Sequence, residues 1–150
     1  HMLITADGEV TMPAQPAFMA GPSGTQSNMA NDTTILLGTE VFDVGANFAS
    51  NTFNAPVTGK YQLNASIRLQ SVDSASNYIY LVIDTSNRDY YSVIDPDFGQ
   101  DAVYWNLSVS VIADMDASDT AIMKFGYDGG AQQVDTSASG GTLFSGALIC

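Results

Sequence analysis

The chain has 150 residues, of which 4 are Lys or Arg and 16 are Asp or Glu, which gives a formal net charge of −12. This length suits a single domain that can bury a core without disulfides or metals. Nucleic acids and anionic membrane surfaces are disfavoured as partners, because both require a basic face. Charged residues make up only 13% of the chain, which favours a β-rich extracellular or virion-type head over a cytosolic helical enzyme.

Residues 1–15 are expected to lie outside the folded domain. His1-Met2 resembles a remnant of cloning, and Leu3 to Met12 is expected to form the end of a stalk or linker. The domain itself is predicted to span residues 16–150. No apolar stretch approaches the roughly 18 residues that a membrane-spanning helix needs, so membrane insertion is not expected.

Short β-strands separated by turn signals account for the rest of the chain. From Lys60 to Leu69 apolar and polar residues alternate strictly, as in an antiparallel strand with one buried face. Strands are predicted at residues 16–20, 34–44, 52–55, 60–70, 77–85, 89–94, 103–113, 120–128 and 142–149. The pattern predicts an all-β antiparallel sandwich of about eight to ten strands, for which the jelly roll is a common connectivity. The aromatic residues expected in its core are Phe42, Phe53, Tyr61 and Phe125.

The segment from Phe42 to Tyr61 reads FDVGANFASNTFNAPVTGKY. Its order of Phe, Ala-Pro-Val and Gly-Lys-Tyr resembles the heart of the globular head of complement component 1q, a jelly roll of the tumour-necrosis-factor-like superfamily. Pro16 to Ala20 is similar to the opening strand of that family, and Phe144 to Ile149 is similar to its closing strand. The resemblance implies a jelly-roll head that assembles as a trimer and recognises a ligand rather than catalysing a reaction.

Two predicted strands, at residues 78–84 and 143–149, are apolar on both faces. A sandwich buries one face of each strand, so the other apolar row marks an interface unless loops of the same chain cover it. A head-to-tail contact that closes after three copies would cover that row in every subunit. Together with the resemblance, this pattern predicts a homotrimer whose contacts include Tyr78, Tyr80, Val82, Phe144 and Leu148.

The segment from Asn87 to Trp105 combines aromatic rings with carboxylates. A saccharide stacks its C–H groups on aromatic rings and donates its hydroxyls to acceptors, so this composition indicates a glycan site. The alternative is that the same residues serve as strand and turn formers. Two other loops, at residues 21–32 and 129–141, are the alternative positions for a site. The candidate ligand-binding residues are Tyr90, Tyr91, Asp95, Asp97, Phe98 and Asp101.

An aspartate cluster at residues 114–119 indicates a candidate calcium site, because hard cations bind groups of carboxylate oxygens. The candidate ligands are Asp114, Asp116 and Asp119. The spacing is not that of an EF-hand. In the resembled family a Gly-Asp pair closes this turn, and Ser118 here replaces the Gly, which puts the tightness of the turn in question. No other cofactor is expected.

Catalysis has little support from the sequence. The chain contains one His, at position 1, and one Cys, at position 150, so a Ser-His-Asp triad and a His- or Cys-based zinc site are excluded. Three functions remain. The first is a non-catalytic trimeric head at the tip of a phage or virus tail fibre that attaches to a host cell-surface glycan or protein. The others are a secreted, extracellular complement-like lectin head and a purely structural trimerisation cap.

Overall fold

The computed structural model describes residues 2–131, 134–138 and 140–150. His1 of the predicted cloning remnant and parts of the predicted loop 129–141 lie outside these ranges. The described residues contain no helix, and therefore none that could cross a membrane. The strands are β1 (Leu3–Ile4), β2 (Val10–Thr11), β3 (Ala17–Gly21), β4 (Thr33–Thr34), β5 (Thr39–Val44), β6 (Phe48–Ala49), β7 (Thr52–Asn54), β8 (Gly59–Val72), β9 (Ser76–Thr85), β10 (Asp89–Ile94), β11 (Ala102–Met115), β12 (Thr120–Gly129), β13 (Asp135–Thr136) and β14 (Leu143–Leu148).

Two antiparallel sheets pack face to face. The first sheet has the order β10-β9-β12-β7-β6, with β4 paired to β12. The second has the order β11-β8-β14-β3-β5, with β13 paired to β8. Strands distant in sequence therefore lie side by side, which confirms the predicted all-β antiparallel jelly roll. Strands β1 and β2 form a separate hairpin that pairs with neither sheet.

The predicted strand at residues 34–44 is confirmed only in part, because the chain crosses from one sheet to the other between β4 and β5. Strand β4 belongs to the first sheet and β5 to the second. Between them Ile35 and Leu37 are buried in the core, and Leu37 donates its backbone N–H to Asn51 Oδ1 at 2.6 Å. Ile35 and Leu37 are apolar because they are buried where the chain crosses, so the composition of this segment resembles that of a continuous strand.

An aromatic stack fills the core between the sheets. The ring of Phe18 lies 4.6 Å from that of Phe53 and 5.0 Å from that of Phe48, and it meets Phe144 edge-on at 5.1 Å. Such pairs stabilise a core beyond the area they bury. Tyr61 continues the cluster, with its ring 5.4 Å from Phe53.

Three of the four predicted core aromatics are confirmed. Phe53, Tyr61 and Phe125 are at most 1% exposed, whereas Phe42 is 45% exposed. The prediction for Phe42 is wrong because β5 pairs with β3 so that Phe42 lies opposite Met19. Phe18, next to Met19 in the strand, points into the core, so Met19 and Phe42 point outward.

Candidate recognition site

The predicted glycan-binding aromatics do not form one platform. In the β9–β10 hairpin, Tyr90 lies opposite Ile83 and Tyr91 lies opposite Val82. Neighbouring residues of a strand point to opposite faces. Tyr90 accordingly packs against the core, while Tyr91 points outward and is 55% exposed. Tyr91 alone of this pair can contact a ligand on the outer face of the first sheet.

Phe98 and the predicted acceptors organise the loop between β10 and β11 instead of a common cavity. Phe98 packs against the core and stacks on Trp105, with ring centroids 4.6 Å apart. Asp101 Oδ1 accepts hydrogen bonds from the backbone N–H and the hydroxyl of Ser74, at 3.0 and 2.9 Å. The backbone bond from Ser74 lowers the pKa of the Asp101 carboxyl. These groups therefore hold the loop in place, and their binding of a ligand stays a prediction.

Asp95 and Asp97 belong to the same loop. Asp95 Oδ1 accepts the backbone N–H of Asp97 at 3.2 Å. An Asp side chain that bonds to the backbone two residues later is a standard turn device. These two residues therefore take the role of turn formers.

Four residues of β9 and β10 line a concave surface of about 430 Å³ on the outer face of the first sheet. We call this surface the tyrosine groove, and its residues are Tyr78, Tyr80, Tyr91 and Val93. The Tyr80 and Tyr91 rings meet edge-on at 5.4 Å, and those of Tyr78 and Tyr80 lie 6.3 Å apart. Tyr78 is 42% exposed. The groove thus offers several aromatic surfaces to solvent at one place.

Gly126 of β12 makes room for this arrangement. It lies opposite Tyr80 in the sheet, and a Cβ at this position would come within 2.2 Å of Cζ and the hydroxyl oxygen of Tyr80. Any side chain at position 126 would therefore displace the ring. The absence of a side chain lets the phenol of Tyr80 lie over the sheet between Tyr78 and Tyr91.

Carboxylates border one end of the tyrosine groove. Asp89 Oδ2 accepts a 3.0 Å hydrogen bond from the Tyr91 hydroxyl, and this bond raises the pKa of Tyr91. Lys124 Nζ lies 2.7 Å from Asp32 Oδ1 and 3.5 Å from Asp84 Oδ2. The bond to Asp32 raises the pKa of Lys124. The single ammonium at this rim is therefore already paired with two carboxylates.

Two of the predicted trimer-contact residues are buried inside the single chain. Val82 is 3% exposed, between its cross-strand neighbours Tyr91 and Lys124, and Phe144 is fully buried in the core. A side chain that is already covered within one chain has little surface left for a second copy, so Val82 and Phe144 are not retained in the proposed subunit contact. Tyr78 and Tyr80 are on the surface, where they line the tyrosine groove.

Leu148 lines a different groove, of about 540 Å³, near the C-terminal strand. Pro16 and Val57 lie on its walls. Its amide side chains are engaged within the chain, because Gln15 bonds to the carbonyl of Leu148 and Asn47 Nδ2 donates to the carbonyl of Val44 at 3.0 Å. This groove therefore offers little to orient a polar ligand.

The outer face of the second sheet carries no charge over three rows of paired residues, and we call it the uncharged face. One row crosses all five main strands, from Ser110 through Asn64, Ser145 and Met19 to Phe42. Serine, alanine and amide side chains predominate in these rows. Arg68 borders them at one end, Lys60 and Asp114 border them at the other, and the exposed Glu40 lies two residues from Phe42 in the edge strand β5. The other two rows consist of Ile112, Gln62, Ala147, Ala17 and Val44, and of Ser108, Ser66 and Leu143.

The predicted calcium ligands are engaged separately. Asp114 Oδ2 pairs with Arg88 at 2.9 Å, and Asp119 Oδ2 accepts the backbone N–H of Asp116 at 2.7 Å and Asn87 Nδ2 at 2.9 Å. Among the described residues no group of three acidic, His or Cys side chains is placed to hold a metal. These bonds close the turn between β11 and β12, and calcium binding at the three residues stays a prediction.

Comparisons with known proteins agree with the sandwich. No protein-family model and no curated protein sequence matches the chain. Among solved structures, the globular domain of zebrafish complement 1qA has a TM-score of 0.64 at 15% identity, over 91% of this chain and 98% of that one. Murine APRIL has a TM-score of 0.67 at 13% identity, over 90% and 99% of the two chains. Eiger TNF from S. frugiperda has a TM-score of 0.66 at 12% identity, over 93% and 94%.

These likenesses define the class of fold. The chain has the jelly roll shared by complement 1q heads and tumour-necrosis-factor-type domains. At such low identity the comparisons carry no residue roles, so the candidate site is described from its own geometry.

The sequence interpretation missed Gly126 and assigned Tyr78 and Tyr80 to a subunit contact. A pattern in the sequence does indicate that Tyr80 and Tyr91 lie close together. If β9 and β10 form a hairpin around Asn87, Tyr80 and Tyr91 fall on the same face. No pattern in the sequence identifies Gly126 in this way, because the strand that pairs with it is known only once the fold is known.

Proposed function

We propose that this chain is a non-catalytic homotrimeric recognition head at the tip of a phage or virus tail fibre, attaching the particle to a cell-surface glycan or protein. The uncharged face is the observation that carries the proposal. It is a broad sheet surface that lacks charge in a protein of net charge −12. The segment 42–61 resembles the heads of complement component 1q, and from this resemblance we expect three subunits.

Electrostatics favours contact between subunits through this face. Copies that each carry a charge of −12 repel one another, and burying an unpaired carboxylate is costly. The uncharged face avoids both penalties. Its serines and alanines allow close approach, and Met19, Phe42 and Ile112 provide apolar area to bury. Phe42 and Ile112 are 45% and 59% exposed in the single chain.

Recognition suits the surface chemistry better than catalysis does. The tyrosine groove presents rings and carboxylates but contains no His, Cys or Ser nucleophile. The one Cys of the chain is exposed at position 150. The fold holds together without disulfides, which suits assembly inside a cell before release on a virion. In the secreted lectin alternative, the same trimer and groove would act outside the cell.

The β1–β2 hairpin supports a division of the chain into a connecting segment at residues 1–15 and a head at residues 16–150. The hairpin pairs with neither sheet. Met2, Leu3, Ile4, Val10 and Met12 are all at least half exposed. Such apolar residues gain from packing against neighbouring chains at the top of a stalk.

Binding to whole cells tests the proposed role. Fluorescently labelled protein, applied to a panel of bacterial strains, is expected to bind at least one strain saturably and to be displaced by excess unlabelled protein. Heat-unfolded protein serves as the control for adhesion without recognition. Binding that no unlabelled protein displaces, or that the unfolded control matches, would contradict a receptor-binding head.

A further inference from the structure

The tyrosine groove and the uncharged face lie on opposite outer faces of the sandwich. Strands β9 and β10 belong to the first sheet, and the uncharged face belongs to the second. Covering the uncharged face of a subunit therefore leaves the tyrosine groove of the same subunit on the other side of the sandwich. We infer that the tyrosine groove binds a neutral saccharide, an inference that rests on the proposed recognition function and names the ligand class.

The aromatic geometry suits a sugar ring. The Tyr80 and Tyr91 rings are 5.4 Å apart and edge-on to each other, so together they form the floor and wall of a corner. Tyr78, 6.3 Å from Tyr80, extends the floor. The C–H groups of a pyranose pack on such rings, and Val93 adds an aliphatic contact. A volume of about 430 Å³ falls within the range of small-ligand sites.

Hydrogen-bond acceptors lie at both ends of the tyrosine groove. Asp89 accepts the Tyr91 hydroxyl through Oδ2, and a carboxylate has about four acceptor positions, so Asp89 can accept a further donor from a ligand. Asp84 lies across the strand pair from Asp89. At the other end, Asp128 accepts Asn77 Nδ2 at 2.8 Å, again through one oxygen. Saccharide hydroxyls donate readily to carboxylates, and such bonds are stronger than neutral ones.

The charge of the rim selects against acidic sugars. Asp32, Asp84 and Asp89 border the groove, while Lys124 is held by two of them at 2.7 and 3.5 Å. A sialic acid or a sulfated sugar would meet these carboxylates without a free cation to pair with. A neutral saccharide carries no charge to be repelled.

A protein partner fits the groove less well than a saccharide does. The apolar area is confined to four side chains, and carboxylates lie at its ends. A protein interface that covered this area would bury those carboxylates and desolvate them. A saccharide leaves them hydrated at the edge while it stacks on the rings.

A glycan array that contains neutral, sialylated and sulfated oligosaccharides tests the inference with the wild-type protein. We expect neutral glycans among the bound spots and no binding of sialylated or sulfated analogues of the same core. The dissociation constant of the best neutral glycan is then measured by calorimetry. If the bound spots are all acidic, or if no neutral glycan is bound, the inference is overturned.

Three variants locate the binding of that neutral glycan. Tyr91→Ala removes the exposed ring and Gly126→Ala displaces Tyr80, so each is expected to weaken binding by about tenfold or more. Gly24→Ala is the matched control for Gly126→Ala, since a Cβ at position 24 meets no atom within 4 Å. Unchanged affinity in both groove variants overturns the inference.

The recognition role is tested separately from the saccharide inference. Each variant is checked for its mass in solution and for binding to whole cells. If wild-type protein binds cells but no neutral glycan, the recognition role stands and the saccharide inference fails. If wild-type protein binds neither, the recognition role fails as well.

Discussion

The hydroxyl of Tyr61 donates a 2.8 Å hydrogen bond to the carbonyl oxygen of Val57, although the Tyr61 residue is fully buried. The ring packs in the aromatic core, while the hydroxyl reaches the turn that follows Pro56. Val57 itself is 45% exposed. One side chain therefore joins the interior of the second sheet to a surface turn in the segment that carries the family resemblance.

Two substitutions at Tyr61 separate the contribution of the packed ring from that of the hydrogen bond to Val57. Tyr61→Ala removes the ring and leaves a cavity, which is expected to lower the free energy of unfolding by about 3–5 kcal/mol. Tyr61→Phe keeps the ring but leaves the Val57 carbonyl without this donor, so a loss of about 1 kcal/mol is expected. Urea denaturation measures both values. A loss under about 1 kcal/mol for Tyr61→Ala would contradict the packing described for this residue.

Alkaline pH is expected to destabilise the head through the same residue. Burial raises the pKa of Tyr61 above its ordinary value of 10.0. A phenol with a higher pKa in the folded state stabilises the fold below the unfolded pKa, and this stability is lost as pH rises through the folded pKa. The urea midpoint should therefore fall above about pH 10. The fall should be shallower in Tyr61→Phe, whereas parallel curves for the two proteins would refute the assignment.

Much of the fold follows from the alternation of residues along single strands. Tyr61 and Leu69, at the two ends of an alternating run, are both fully buried as predicted. Alternation predicts which residues are buried because successive side chains of a strand point to opposite faces and one face lies in the core. A one-sided pattern therefore identifies its own inner face without knowledge of the partner strands.

Features that depend on strand pairing were not predictable in this way. Phe42 points outward because of its register against Met19, and Tyr91 joins Tyr80 because of the β9–β10 hairpin. The uncharged face likewise arises from five strands that are scattered along the chain. A single strand such as β8 shows its polar residues, including Asn64, but not that the neighbouring strands also lack charge there.

Ser118 adopts a left-handed backbone conformation, with φ of 78°, in the turn between β11 and β12. A residue with a Cβ is strained in this region, and glycine is not. Ser118→Gly keeps the 2.7 Å hydrogen bond from its backbone N–H to the Ala55 carbonyl. We therefore expect the free energy of unfolding to rise by about 0.5–1 kcal/mol.

The matched control is Ser92→Gly, in the middle of strand β10. At position 92 glycine relieves no backbone strain and adds backbone entropy to the unfolded state. The free energy of unfolding is therefore expected to fall by about 0.5–1 kcal/mol. Thermal unfolding of both variants measures the difference. A loss at position 118 equal to that at position 92 would show that the turn is not strained.

Light scattering coupled to gel filtration tests the central claim, which is assembly through the uncharged face. The wild-type protein is expected to have a mass of three times 15.8 kDa. Asn64→Asp places one carboxylate per subunit in the middle of that face, and it is expected to shift the mass to that of a folded monomer. Asn54→Asp adds the same charge to an exposed position of the first sheet and should remain trimeric. A monomeric wild type, or a trimer that Asn64→Asp leaves intact, would contradict the account.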